Sequence, residues 1–279
     1  MRWDDFDVSV LANTTLVLGG AGGTQTLGPA SSIAQTTLDS TYSIVSATVQ
    51  NFGEVDIGGS GNQATGRLVI SQNARFENYG PIDVDGSLLV QGGGDGAFVN
   101  NGTVAVQRGI AQFSRVETGT QSGSFVIGEN AALAFNGNAG NASVSFEPGK
   151  NGTLIIGTPV NANTVRTVIG FDAGDAIQVP GQGTIAQWQQ APAGGGAASG
   201  TLTIAGAGGV VANINLTGAY DPASFKAEPN NSGLITITTT KAGDITVVGG
   251  DGASGNSDPA GEVSEWLGGG PVVRSGTAW

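Results

Sequence analysis

Short alternating runs of apolar and polar residues recur along the whole chain. Ser9-Val10-Leu11, Thr15-Leu16-Val17-Leu18, Arg67-Leu68-Val69-Ile70, Ile82-Asp83-Val84, Thr103-Val104-Ala105-Val106, Thr201-Leu202-Thr203-Ile204 and Leu234-Ile235-Thr236-Ile237 each read as a strand. They are rich in Val, Ile, Leu and Thr, and Gly and Asn turns bound them. No long stretch carries apolar residues at helical spacing without an interrupting Gly. Ser224-Phe225-Lys226-Ala227 and Glu262-Val263-Ser264-Glu265-Trp266-Leu267 are the two exceptions, each long enough for about one or two helical turns.

The strands fall into repeats once their aromatic, Asn and Gly positions are aligned. Asn51-Phe52-Gly53-Glu54-Val55-Asp56-Ile57 is followed by Phe76-Glu77-Asn78-Tyr79-Gly80-Pro81-Ile82-Asp83-Val84, and then by Phe98-Val99-Asn100-Asn101-Gly102-Thr103-Val104-Ala105-Val106. The Phe spacings are 24 and 22 residues. Companion strands lie between, at Gly66-Arg67-Leu68-Val69-Ile70 and Gly86-Ser87-Leu88-Leu89-Val90, and further coils read from Phe125, Phe135 and Phe146. A unit of about 20–25 residues with short strands and Asn-Gly corners is what one coil of a β-solenoid needs. Gly or Asn is expected to accept a left-handed backbone at each corner. The inward stacks are expected to be Val55, Ile57, Leu68, Ile70, Val84, Leu88, Val90, Val104 and Val106. The rival reading is a sandwich of hairpins, since Asn-Gly is also a hairpin turn. Recurrence in phase favours the solenoid.

The run from Phe76 to Phe135, with ENYGPIDVDGSLLV, FVNNGTVAVQRG and GTQSGSFVIGENAALAF, resembles the repeats of large bacterial surface proteins. These are β-strand-repeat adhesins and the passengers of autotransporter-like or filamentous-haemagglutinin-like proteins. The resemblance covers about a third of the chain. It implies a right-handed parallel β-helix, exported and acting in adhesion or surface structure. It carries no catalytic residue across, and the chain departs from the family in being short and without a recognisable membrane-barrel domain.

The expected architecture is therefore all-β, a right-handed parallel β-helix with a C-terminal β extension. Residues 1–50 read as an N-terminal strand extension with the first coils, and 51–160 as the solenoid repeats. Residues 161–248, which include Thr167-Val168-Ile169-Gly170-Phe171-Asp172-Ala173-Gly174-Asp175-Ala176-Ile177, either close the solenoid or form a small β domain on it. Residues 249–261 read as a Gly-rich linker to a docking segment at 262–279. Aromatic and aliphatic anchors at both ends, Trp3, Phe6, Trp266, Val272, Val273 and Trp279, mark an expected assembly interface. With no charged cap visible at the C-terminal end, they are expected to seat on a neighbouring copy, head to tail, by strand addition. The competing reading folds both tails back as caps.

Composition narrows the chemistry. The 279 residues include 49 Gly, no Cys and no His, which excludes disulfides, thiol nucleophiles and Ser-His-Asp triads and removes the usual zinc and haem ligands. Ten Lys+Arg against 22 Asp+Glu give a net charge of −12, which argues against nucleic acid and anionic membranes as partners. The opening MRWDDFDVSV lacks the basic and apolar regions of a secretory signal, and no apolar run reaches membrane-helix length. A fold without thiols suits an oxidising exterior, so the expected location is extracellular, at a bacterial cell surface.

No enzyme, cofactor or resident metal is expected. Asp83 and Asp85, two apart on one strand, project to one face about 6.5–7 Å apart, near the spacing of an inverting glycosidase pair. Asp56, at the comparable point of the preceding repeat, makes a solvated turn the more natural assignment. Calcium is the one candidate ion, through Asp95, Asp172 with Asp175, or Asp251 near Asp258, but no tandem calcium nonapeptide is present. The Gly-rich loops 19–23 and 206–209 precede no helix and so form no phosphate loop. The expected function is a non-catalytic structural protein that forms or decorates a surface fibre or layer by self-assembly. The alternatives are a monomeric adhesin or glycan-binding module and a solenoid polysaccharide-active enzyme.

Overall fold

The computed structural model describes residues 48–240 except 58–64, 118–122, 140, 150, 158–164, 192–197 and 208, together with the backbone of strands between residues 2 and 45. The strands stack into three ladders. In the first, Arg2–Trp3, Thr24–Leu27, Thr48–Asn51, Arg75–Asn78 and Ala97–Asn100 pair in parallel. The second runs through Asp7–Val10, Ser32–Gln35, Glu54–Ile57, residues 81–84, residues 103–106, Ser124–Ile127, Ala142–Phe146 and Val165–Ile169. The third runs through Thr15–Gly19, Ser40–Val45, Thr65–Ile70, residues 87–92, residues 110–113, Ala132–Phe135, Thr153–Ile156 and Ala176–Pro180. Every one of these pairings is parallel and joins a strand to its counterpart one coil away. The fold is a parallel β-solenoid, and the hairpin sandwich is excluded for this part of the chain.

Period-two alternation dictates what fills it. In the strand Pro81–Gly92, Ile82, Val84, Leu88 and Val90 are buried while Pro81, Asp83, Asp85, Ser87 and Leu89 face outward. Parallel register then places like on like, so Val55, Ile82, Val104, Phe125, Val144 and Val168 form one inner column. All nine expected inward residues are buried. A chain of rings fills the wider coils: Phe76 stacks on Phe98 at 5.7 Å, Phe98 meets Phe113 at 5.0 Å, and Phe113 meets Phe125 edge-on at 5.4 Å. Such pairs add about 0.5–1.5 kcal/mol each beyond the area they bury.

The corners explain the repeat. Asn51, Asn78 and Asn100 are fully buried and stacked. The Asn51 Nδ2 donates to Asn78 Oδ1 at 2.8 Å, Asn78 Nδ2 to Asn100 Oδ1 at 3.0 Å, and Asn100 Nδ2 to the Ser124 carbonyl at 3.0 Å. Two residues further on stands glycine, for a reason other than the expected one. Gly80 and Gly102 have ordinary backbone angles, but a Cβ on Gly80 would lie 2.1 Å from the Gly53 carbonyl oxygen, and one on Gly102 2.2 Å from that of Gly80. Close approach of successive coils, rather than a left-handed backbone, requires glycine there. Left-handed turn positions lie elsewhere, at Asn73, Asn130 and Asn141 and at glycines such as Gly94, Gly109 and Gly149, where the expectation of Gly or Asn holds.

The C-terminal region completes one more coil and then changes pairing. Val165–Ile169 and Ala176–Pro180 stack on the coil before them. The strands Thr184–Gln190, Ser199–Gly206 and Gly209–Thr217 then form an antiparallel sheet, and Phe225–Pro229 pairs antiparallel with Leu234–Thr239. Gly209–Thr217 lies along Val165–Ile169, and Leu234–Thr239 along Ala176–Pro180. These strands cover the ends of the second and third ladders, as the reading of 161–248 as strands closing the solenoid expected, and this corrects the accompanying expectation of an uncapped C-terminal end. The cap extends the solenoid's core, with Trp188 meeting Tyr220 at 5.3 Å and Phe225 at 5.5 Å. Tyr220 ties it to the last coil by donating its hydroxyl to the Phe171 carbonyl at 2.7 Å. The expected helical turn at 224–227 is also corrected. Among the described residues here, Pro222–Ser224 is helical, a 3-10 turn capped by the Asp221 side chain, and Phe225 begins a strand paired with Thr239. The other expected helical stretch, 262–267, lies outside the described residues.

Leu88→Ala should lower the unfolding free energy in urea by about 2–5 kcal/mol, because the site is enclosed by neighbouring coils. Gly80→Ala should also destabilise through its clash with the Gly53 carbonyl, despite an ordinary φ. An unchanged midpoint for both would contradict the register.

Candidate functional site

The chemistry-bearing side chains gather on the outer face of the second ladder. Alternation turns Glu54 and Asp56 outward on one coil and Asp83 and Asp85 on the next. Register sets Asp56 directly beside Asp83, as the repeat alignment expected. Oxygens of Glu54, Asp56 and Asp83 lie within 4.8 Å of one another. Partial burial, followed by the charges of Glu54 and Asp83, pushes the Asp56 carboxyl above its ordinary range. Burial and then Glu54 do the same to Asp83.

Asp85 is pulled the other way. The ladder slips by one residue between Val84 and Asp85, so that Asp85 faces Arg108 rather than Gln107. Arg108 donates Nε to Asp85 Oδ1 and Nη2 to Asp85 Oδ2, both at 2.5 Å. This paired hydrogen bond holds the Asp85 carboxyl below its usual range. The two aspartates that share a face in sequence thus belong to different neighbourhoods. Glu54 was missed because its link to Asp83 runs across coils, and only its spacing of two from Asp56 hinted at it.

The other candidates disperse. Asp95 sits in an exposed turn, 3.9 Å from the Arg115 guanidinium, which also donates to the Gly94 carbonyl at 2.9 Å. A cationic side chain therefore stands where calcium was considered. Arg108 and Arg115 serve separate partners. Gly206 and Gly209 flank a hairpin turn between two strands, so no helix follows to make a phosphate loop. Asp172 and Asp175 share one turn of the last coil. Asp251 and Asp258 lie outside the described residues. So do Phe6, Trp266, Val272, Val273 and Trp279; Trp3 is paired with Leu27 through its backbone, and its side chain is likewise outside them.

Two further surface features emerge only from the register, which also corrects the alignment of Phe52 with Phe76: Phe76 pairs with Val49, and the counterpart of Phe52 is Tyr79. Phe52 and Tyr79, 39% and 40% exposed, stack at 4.6 Å on the corner outside the Asn ladder. Glu77 beside them accepts from Gln50 Nε2 at 2.8 Å and from Arg75 Nε at 3.1 Å. An open groove of about 550 Å³ lies over the third ladder, lined by Val69, Ser71, Gln72, Gln91, Gly93 and Ser114 among others, and no titratable group lines it.

Glu54, Asp56 and Asp83 bring three carboxylates together, and a calcium ion, which takes six to eight oxygens, would draw the rest from backbone carbonyls and water. Comparison with known protein families, curated proteins and solved structures finds no match.

For Asp56 and Asp83 the folded-state pKa lies above the unfolded value, so their ionisation opposes folding. The stability they withhold at neutral pH returns as pH falls through the folded-state pKa. Asp83→Asn should therefore raise the thermal midpoint at pH 7, with a smaller gain at pH 4. An equal gain at both would contradict the electrostatic origin.

Proposed function

We propose that this chain is a non-catalytic structural module of a secreted bacterial cell-surface protein, a stiff solenoid that forms or decorates a surface fibre or layer. The observation that carries this reading is the unbroken stacking of Val, Ile, Leu and Phe columns along the described coils. It makes a rod whose outer charged side chains include the ion pairs Asp85–Arg108, Arg75–Glu117 and Lys226–Glu228. The absence of thiols suits an oxidising exterior.

Self-association is part of the proposal, at the first coil. Among the described residues, Arg2–Trp3, Asp7–Val10 and Thr15–Gly19 each pair with one neighbour, on the coil that follows. A parallel edge with no second partner among the described residues is a template for strand addition by a second copy. The covered edge at Val165–Ile169 and Ala176–Pro180 argues against that end as the acceptor.

A second reading, a polysaccharide-active enzyme, draws on the opposite pulls on Asp83 and Asp85, the signature of an acid–base pair. Against it, both Asp85 oxygens are engaged by Arg108.

Electron microscopy and sedimentation across a concentration series, with reducing-sugar release from neutral and acidic glycans, test both readings. The structural reading expects rods whose association rises with concentration, and no sugar release by the wild type. Release that vanishes in Asp83→Asn and Asp85→Asn would replace it with the enzyme. A protein that sediments as a monomer throughout would remove self-assembly.

A further inference from the structure

The last coil contains a buried carboxyl group, Asp175, beside a half-buried one, Asp172, that none of the preceding chemistry uses. Between Val165–Ile169 and Ala176–Pro180 the chain turns through Gly170, Phe171, Asp172, Ala173, Gly174 and Asp175. Asp175 is fully buried. Its Oδ1 accepts the Gly152 N–H of the preceding coil at 2.9 Å, and its Oδ2 accepts the Asp172 N–H at 3.1 Å. The Asp175 N–H in turn donates to the Asp172 carbonyl at 3.1 Å, closing the turn. The Gly149 N–H reaches Asp172 Oδ2 at 3.5 Å. One side-chain oxygen in this cluster, Asp172 Oδ1, is buried with no donor.

An orphaned carboxylate oxygen beside a buried carboxyl is what a shared proton resolves. A protonated Asp175 keeps acceptor capacity for its backbone donors and gains one O–H. The Asp172 side chain is the hydrogen-bonding partner within its reach. We propose that Asp172 and Asp175 form a proton-sharing latch that fastens the turn of the last coil to the preceding coil and loosens when the proton leaves.

The electrostatics agree with this geometry. Burial, aided by the Asp172 charge, pushes the Asp175 carboxyl up to about 7, against the pull of the Gly152 and Asp172 N–H groups. From the coil below, Asp175 meets the uncharged Gly152 amide, and Asn151 lies against Gly174. From the cap, the neutral Tyr220 hydroxyl binds the neighbouring Phe171 carbonyl. Asp172 is the charged group that acts on Asp175 among the described residues, and Lys150 lies outside them.

The position gives the latch leverage. Phe171, which anchors Tyr220, immediately precedes Asp172, and Ala176–Pro180, which pairs with Leu234–Thr239, immediately follows Asp175. Loosening the turn therefore loosens the seat of the cap. For a carboxyl whose folded-state pKa is raised, the stability it supplies is full below the unfolded value of about 4 and is lost as pH rises through about 7.

Two measurements test the latch. A ¹³C NMR titration of the aspartate carboxyls in the wild-type protein should show one group, absent in Asp175→Asn, with a midpoint near pH 7. Urea unfolding between pH 5 and pH 8 should show wild-type stability falling relative to Asp175→Asn, whose amide supplies a permanent donor to Asp172 Oδ1. Lys150→Gln, as a control, should keep the wild-type slope. Should Asp175→Asn fail to fold, the titration assigned through Asp172→Asn carries the test, since removing that partner should lower the Asp175 midpoint. An Asp175 midpoint near 4 would overturn the proposal. So would a rise in thermal midpoint at pH 8 on adding calcium that EDTA reverses, which would assign the pair to a cation.

Discussion

Parallel registry between coils is the constraint on which everything else in this protein rests. Each strand in a ladder meets its backbone partners one coil before and one coil after, about 4.8 Å away. A side chain is therefore never judged alone, because it lies against its counterpart in the neighbouring coil. Apolar columns become a continuous core under this rule, and Asn51, Asn78 and Asn100 become a hydrogen-bonded file. The same rule stacks Asp56 on Asp83 with Glu54 beside them, and there burial, followed by the charge of Glu54, raises both carboxyl pKa values. Favourable and unfavourable neighbourhoods have one geometric origin.

The price of tight stacking appears where the main chain turns. At Gly80 and Gly102 the carbonyl of the previous coil occupies the space of a side chain. At Gly109, with φ of 74°, a Cβ would sit 1.9 Å from the Gly86 oxygen, so close approach and backbone conformation both demand glycine. The asparagine file meets its limit in the same manner. Asn51 Oδ1 is buried without a partner, and the residue opposite it in register is Leu27, whose side chain carries no donor.

What the sequence revealed follows from these rules. Inward positions such as Leu88 and Val104 were legible because alternation and phase are both one-dimensional signals. The corner Asn and Gly were legible as residues, but the glycine's purpose was not, because the obstructing carbonyl belongs to a coil 22–27 residues away. The cluster of Glu54 with Asp83 needed the register before it existed. The closing strands within 161–248 were legible, but their antiparallel pairing was not, because these hairpins use the same Thr, Ile and Gly as the coils and pairing direction leaves little trace in composition. Asp172 and Asp175, three apart in a glycine-containing turn, look like any capped turn, and the burial that sets Asp175 apart goes with its seat on the Gly152 N–H of the preceding coil.

The glycine–carbonyl contact also sets a rule for how this molecule can change in length. Gly53, Gly80, Gly102 and Gly123 succeed one another, each approaching the oxygen of the one before. An insertion of a few residues inside a strand would throw every later glycine out of phase with its carbonyl. Duplication or loss of one complete coil would preserve each contact, because a coil touches only its neighbours. Rod length can therefore vary in whole steps of one coil while the terminal antiparallel strands keep the same seat.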